Sequence, residues 1–249
     1  MNLNEAKQIL NECGYLLENS KPITVDYINH KNYILYFGEF INVKGDVDLD
    51  RFEFTKLPIK FGKVGGNFCC HNNVLTSLDG APREVGGNFY CGNNKLTSLV
   101  GAPKVVGGDF YCDMNYLTTL KGVPNSVGGD FHCSENKLTS LEGAPRKIGG
   151  GFYCRDNYLI TLEGAPKEVV GDFNCAHNLL ETLFGAPEIV RGDFDCNNNK
   201  LTSLEYAPKK VSRGFYCYEN EEEFTEDDVL EVSNVIKERI HVEPVGEWD

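Results

Sequence analysis

One spacing limits what this chain can fold into. Phe68, Phe89, Phe110, Phe131, Phe152, Phe173, Phe194 and Phe215 stand twenty-one residues apart without an insertion or deletion. Two residues after each comes a cysteine, from Cys70 and Cys91 through to Cys217, so eight of the ten cysteines are one repeated position. Three residues further lies an asparagine (Asn73, Asn94, Asn115, Asn136, Asn157, Asn178, Asn199, Asn220), then two leucine positions such as Leu75 with Leu78. A turn follows, Gly80-Ala81-Pro82 in its commonest wording, then a Val or Ile such as Val85 or Ile148, then Gly-Gly into the next Phe. So strict a period is the mark of stacked structural units, each contacting only its neighbours.

The wording of one unit indicates its shape. Phe-x-Cys alternates buried and variable residues, the period-two pattern of a short strand with one covered face. Stacking such units sets their strands parallel, about 4.8 Å apart. The asparagine falls at a tight bend, where a side-chain amide can satisfy both donors and acceptors of buried backbone. Gly and Pro rule out a helix on the return, which is expected to be irregular or extended. Val47, Leu49, Phe54 and Leu57 fit the same register as a degenerate first unit. The expectation is a mainly β repeat solenoid of nine coils over residues 45–220.

The spacing Phe-x-Cys-x-x-Asn-x-Leu resembles the leucine-rich-repeat consensus Leu-x-Leu-x-x-Asn-x-Leu, with Phe and Cys at its first two apolar sites. The resemblance covers about 175 of the 249 residues. By unit length and by its Gly-Ala-Pro turn the chain looks most like the short bacterial type. Gly-Asp-Phe-Tyr-Cys and Leu-Thr-Ser-Leu-Glu-Gly-Ala-Pro are similar to repeat proteins of large tailed bacteriophages. The resemblance implies a curved stack with its parallel sheet on the concave face and an irregular convex face. It also implies a binding role, with a bacterial host protein as partner and inhibition of a host defence system as a use.

Both ends need covers. Asn2 and Glu5 read as a capping pair for an amphipathic helix ending near Gly14, and strands near Tyr33–Phe37 and Phe40–Val43 would join it to the stack, making residues 1–44 an N-terminal cap. Residues 221–249 read as an acidic helical cap, with Thr225 and Asp228 as its capping pair, Phe224 as staple to Val229, and Val229, Val232, Ile236 and Ile240 facing the last coil. From Tyr218 onward there are twelve acidic and two basic residues, a net of −10 out of −13 for the chain. The body is therefore near neutral, which argues against direct nucleic-acid binding. No apolar run is long enough for a membrane helix and the start does not read as a signal peptide, so a cytoplasmic protein, bacterial-host cytoplasm if phage-encoded, is expected.

The variable residues carry the functional expectation. Between Phe and Cys run Cys69, Tyr90, Tyr111, His132, Tyr153, Asn174, Asp195 and Tyr216; after the asparagine come Tyr116 and Tyr158 among lysines. Tyr90, Tyr111, Met114, Tyr116, His132, Tyr153, Tyr158, Asn174, Asp195 and Tyr216 are the expected partner-binding residues, because clustered exposed tyrosine suits binding surfaces. The competing reading is that stacked tyrosines only stabilise the sheet. Asp109, Asp130, Asp172 and Asp193, interrupted by Gly151, read as a solvated rim or turn residues, with a cation site as the alternative. The cysteine column reads as small buried apolar residues rather than a metal or redox set, since no His or carboxylate converges on it.

The function expected is a non-enzymatic protein-binding scaffold without cofactor or metal, its partner a bacterial protein and not a membrane. Three alternatives stand beside it. One is a structural virion or assembly component. A second is an enzyme using Cys69 and His71, two residues apart on one strand. The third is local mimicry of nucleic acid by the acidic C-terminal segment.

Overall fold

A computed structural model describes residues 23–29, 31–33 and 40–243. The chain is a parallel β-solenoid of about ten turns. Its front sheet has ten strands, from Val47–Asp48 through Phe68–Cys69 and its repeats to Phe215–Tyr216, ending at Ile240–His241. The register is uniform: Phe68 pairs with Phe89, Phe131 with Phe152 and Phe194 with Phe215. That register follows from the constant coil length, since any slip would put a phenylalanine in water.

Inside the coils the side chains form columns. All eight repeat phenylalanines are fully buried, as are the paired leucines and the cysteines. Neighbouring Phe rings lie 5.1–5.9 Å apart, and Phe61 closes the N-terminal side of the column edge-on to Phe68 at 5.0 Å. Each fully buried Phe contributes roughly 1.5–3 kcal/mol of hydrophobic stabilisation. The cysteines behave as small apolar residues; the nine described ones are free thiols, and Cys112 reaches only a carbonyl, that of His132 at 3.2 Å.

The asparagines bind coil to coil. Asn94 donates through Nδ2 to the carbonyls of Cys70, Cys91 and Gly92 at 3.0–3.2 Å, and its Oδ1 accepts from Leu75 N–H at 2.9 Å. The same set recurs from Asn115 to Asn199. Without it the backbone of every bend would be buried with unpaired groups.

Where the sequence left the return irregular or extended, the structure has extended segments paired in a second ladder. Two-residue strands at Glu84–Val85, Val105–Val106, Ser126–Val127 and Lys147–Ile148 stack on Lys60–Val64 in a seven-stranded sheet, and Glu168–Val169, Ile189–Val190 and Lys210–Val211 form a separate three-stranded one. Gly and Pro exclude a helix there but not an extended strand. A glycine column makes the close approach possible: a Cβ on Gly128 would lie 1.9 Å from the Gly107 carbonyl oxygen. Gly86, Gly107, Gly128 and Gly149 each donate to the preceding coil at 2.9–3.0 Å, and the two back sheets part at the next coil, where Val170 takes that place.

Of the two expected helical caps, only the C-terminal one falls on described residues. The expected helix over Asn2–Gly14 lies outside the described residues, as does most of the strand near Tyr33–Phe37. Phe40–Val43 is a strand, paired in parallel with Ile23–Val25 and Lys60–Val64. The degenerate coil is in register, Val47 beside Phe68. At the other end the helix spans only Glu226–Val232, with the Thr225/Asp228 capping box formed and Phe224 and Val229 buried. It ends because the chain turns back into the sheet: Ile240–His241 pairs with Phe215–Tyr216 as a further rung. Ile240 is buried accordingly, while Ile236 is 53% exposed and does not face the last coil. Among the described residues no helix is long and apolar enough to cross a membrane.

Candidate functional site

In the eight repeat strands from Phe68 to Phe215, Phe and Cys point inward, and the residue between them is only partly covered. Parallel register then sets the same outward position of successive coils side by side. Tyr90 stacks on Tyr111 at 4.9 Å, Tyr111 on His132 at 4.3 Å and His132 on Tyr153 at 4.4 Å, with interplanar angles of 7–14°. The row turns polar at Asn174, whose Nδ2 donates to Asp195 Oδ2 at 3.1 Å. It ends in a second stack, Tyr216 on His241 at 4.3 Å. His241 was not among the expected residues, although Ile240-His241-Val242 repeats the apolar-x-apolar alternation that signals a front strand.

A carboxylate column anchors this row. Asp109 Oδ1 accepts from Asp130 N–H at 2.8 Å, Asp130 Oδ1 from Gly151 N–H at 2.6 Å and Asp172 Oδ1 from Asp193 N–H at 2.9 Å. The second oxygens hold phenols: Tyr111 donates to Asp109 Oδ2 at 3.4 Å and Tyr153 to Asp172 Oδ2 at 3.3 Å. The glycine that interrupts the column has a reason, because a Cβ on Gly151 would lie 2.7 Å from the Tyr153 ring. Backbone amides thus account for the acidic repeat, and among the described residues no group of three His, Cys, Asp or Glu side chains is placed to hold a metal ion.

Burial and then the neighbouring carboxylate push the Tyr111 and Tyr153 hydroxyls up to about 12. Burial lowers the His132 imidazole, against a smaller opposing pull from Asp130. Burial also raises the Asp195 carboxyl. At neutral pH the row from Tyr111 to Tyr153 is therefore a strip of uncharged rings whose faces are spent on one another and whose edges meet solvent.

Met114, Tyr116 and Tyr158 form a separate, more open fringe, 46%, 46% and 52% exposed. Met114 sits at the left-handed bend before the ladder asparagine, with φ of 53°. The Lys137 ammonium lies over the Tyr116 ring at 4.8 Å, and Leu179 occupies the position of Tyr158 one coil later. Among the described residues no ring contact joins this fringe to the stacked row.

The pair Cys69 and His71 does meet. Cys69 Sγ lies 2.7 Å from His71 Nδ1, and His71 Nε2 lies 3.2 Å from Asp50 Oδ1. The third member escaped the sequence reading, although the twenty-one-residue period places Asp50 and His71 at one coil position. Comparison with protein-family models, with curated proteins and with solved structures finds no match for this chain.

Proposed function

We propose that this chain is a leucine-rich-repeat-like scaffold that grips a protein partner along the outer side of its front sheet. The observation that carries the reading is the fringe of Met114, Tyr116, Tyr158 and Leu179, open apolar side chains beside a pre-ordered row of stacked rings. Large amphipathic side chains held rigid lose little freedom when a partner docks, and such anchors are each worth about 2 kcal/mol or more at an interface. Resemblance of the repeat wording to phage proteins supports a bacterial host protein as that partner, with inhibition of a defence system as the use.

The test is comparative. Full-length protein and a Tyr116→Ala/Tyr158→Ala variant with unchanged thermal stability are used as bait in bacterial lysate. The same protein should be captured by the first and lost by the second; equal capture by both would remove the fringe from the interface. A purely structural role in a particle predicts instead that the chain is found in purified virions and captures nothing soluble.

A further inference from the structure

On the second strand of the front sheet, beside Asp48, the outward position holds neither tyrosine nor histidine but Cys69, the one described cysteine outside the buried column. It faces a cavity of about 300 Å³ shared with Asp46, Asp48, Asp50, His71 and Tyr90. We propose that Cys69, His71 and Asp50 form a modification site at which the thiol exchanges with small, cationic or neutral disulfides to give a reversible mixed disulfide.

Geometry sets the roles. His71 Nε2 lies 3.2 Å from Asp50 Oδ1, an ion-pair distance, and the other ring nitrogen, Nδ1, faces Cys69 Sγ at 2.7 Å. A carboxylate beside Nε2 favours the tautomer with the proton on that nitrogen, in which Nδ1 can accept a proton from its neighbour. Asp50 is itself held, by Asn72 Nδ2 at 3.1 Å and by Arg51 Nε at 3.4 Å. In the exchange the Sγ proton passes to Nδ1, and the thiolate attacks one sulfur of the disulfide. The old S–S bond breaks and the departing thiolate takes the proton from Nδ1. One protein thiol and one disulfide become one mixed disulfide and one free small thiol.

The surroundings define both the dependence on His71 and the choice of reagent. Burial first, then Asp48 and Asp50, push the Cys69 thiol up to about 12, so it has almost no thiolate of its own near neutrality. Reaction then depends on His71 taking the proton. Three carboxylates, Asp46, Asp48 and Asp50, repel an anionic reagent and draw a cationic one. A depression of this size has room for a disulfide of a few heavy atoms. No oxyanion donor is needed, because sulfur-to-sulfur exchange develops no tetrahedral oxyanion.

Full-length protein is incubated at low salt with cystamine, with 2-hydroxyethyl disulfide and with dithiodiacetate, three reagents of similar size and different charge. Adducts are followed by intact mass and located by peptide mapping. Among the described cysteines one adduct, on Cys69, is expected, reversed by a reductant, fastest with cystamine and slowest with dithiodiacetate by about tenfold. His71→Ala and His71→Gln should each slow it at least about tenfold, and Asp50→Asn less. Protection of the column cysteines reports that each variant is folded. A variant-free measurement stands beside these: the wild-type rate should be nearly flat between pH 7 and 9, whereas a lone high-pKa thiol would gain about tenfold per pH unit. Wild-type rates in both His71 variants, a tenfold-per-unit pH slope, or faster reaction with dithiodiacetate would each overturn the proposal.

Discussion

Asn136 donates from Nδ2 to the carbonyl of Cys112 at 3.1 Å, reaching across the coil boundary to a residue twenty-four positions earlier. The same amide serves Cys133 and Ser134 in its own coil, while its Oδ1 takes Leu117 N–H at 2.9 Å. One side chain therefore satisfies four backbone groups in two coils. Asn136→Ala should cost about 3–5 kcal/mol in urea unfolding, since each buried group left unpaired costs about 1–3 kcal/mol and some will find water. Asn136→Asp should be at least as damaging, because a carboxylate cannot donate to three carbonyls. A loss under about 1 kcal/mol in both would mean that the ladder is not what holds the bends.

A second prediction concerns the close approach on the back of the solenoid. Gly128→Ala adds one carbon, but that carbon would sit 1.9 Å from a carbonyl oxygen and 2.6 Å from its carbon. Backbone of the neighbouring coil must move, breaking the bond from Gly128 N–H to Val106 O at 3.0 Å. A loss of about 3 kcal/mol or more is expected, well above the usual effect of removing a glycine. Gly92→Ala, whose nearest neighbours are at 3.0 Å and chiefly the Asp113 carboxylate and carbonyl, should be milder. Equal thermal midpoints for the two variants would refute the packing argument.

These two positions show what the sequence could and could not disclose. Asn136 and Phe131 were legible because each is repeated at one coil position and physical chemistry allows it one place: an amide at a buried bend, an aromatic ring in the core. The second ladder was not, because Gly-Ala-Pro-x-x-Val-Gly-Gly forbids a helix without specifying whether the extended chain pairs. The glycines looked like turn residues, and only their distance to the next coil shows that they are spacers. Asp109 and Asp172 read equally as a solvated rim or as turn residues, because the sequence gives acidity but not which amide lies opposite. Asp50 and His241 went unseen because each stands in a degenerate coil, where the register persists after the motif has faded.

His132 gives the pH dependence of the row. Its imidazole titrates below its ordinary value of 6.5 in the folded chain, chiefly through burial between two tyrosine rings. Because the unfolded chain takes the proton first, this contribution to stability is intact above pH 6.5 and is lost as pH falls below it toward the lower folded value. Unfolding free energy measured between pH 8 and 5 should fall on the acid side, and the fall should be smaller in His132→Phe, which keeps the ring and removes the titration. Identical pH profiles for the two proteins would show that His132 does not set this slope.

The last prediction separates holding the fold from holding a partner. Tyr111 is stacked on both faces and donates to Asp109, so Tyr111→Ala should lower stability by roughly 1–3 kcal/mol, at about 0.5–1.5 kcal/mol for each ring pair. Tyr116 is open to solvent and, among the described residues, its one ring or cation contact is the Lys137 ammonium, so Tyr116→Ala should leave stability within about 0.5 kcal/mol. Partner affinity should order the other way, with the Tyr116 variant losing about tenfold or more although it is as stable as wild type. Measured in parallel by urea unfolding and by titration of the captured partner, the two variants distinguish a stacked row that only stiffens the sheet from a surface that docks. If Tyr116→Ala binds as wild type while Tyr111→Ala loses stability and affinity together, the fringe is ordinary solvent-facing surface and the contact lies elsewhere on the solenoid.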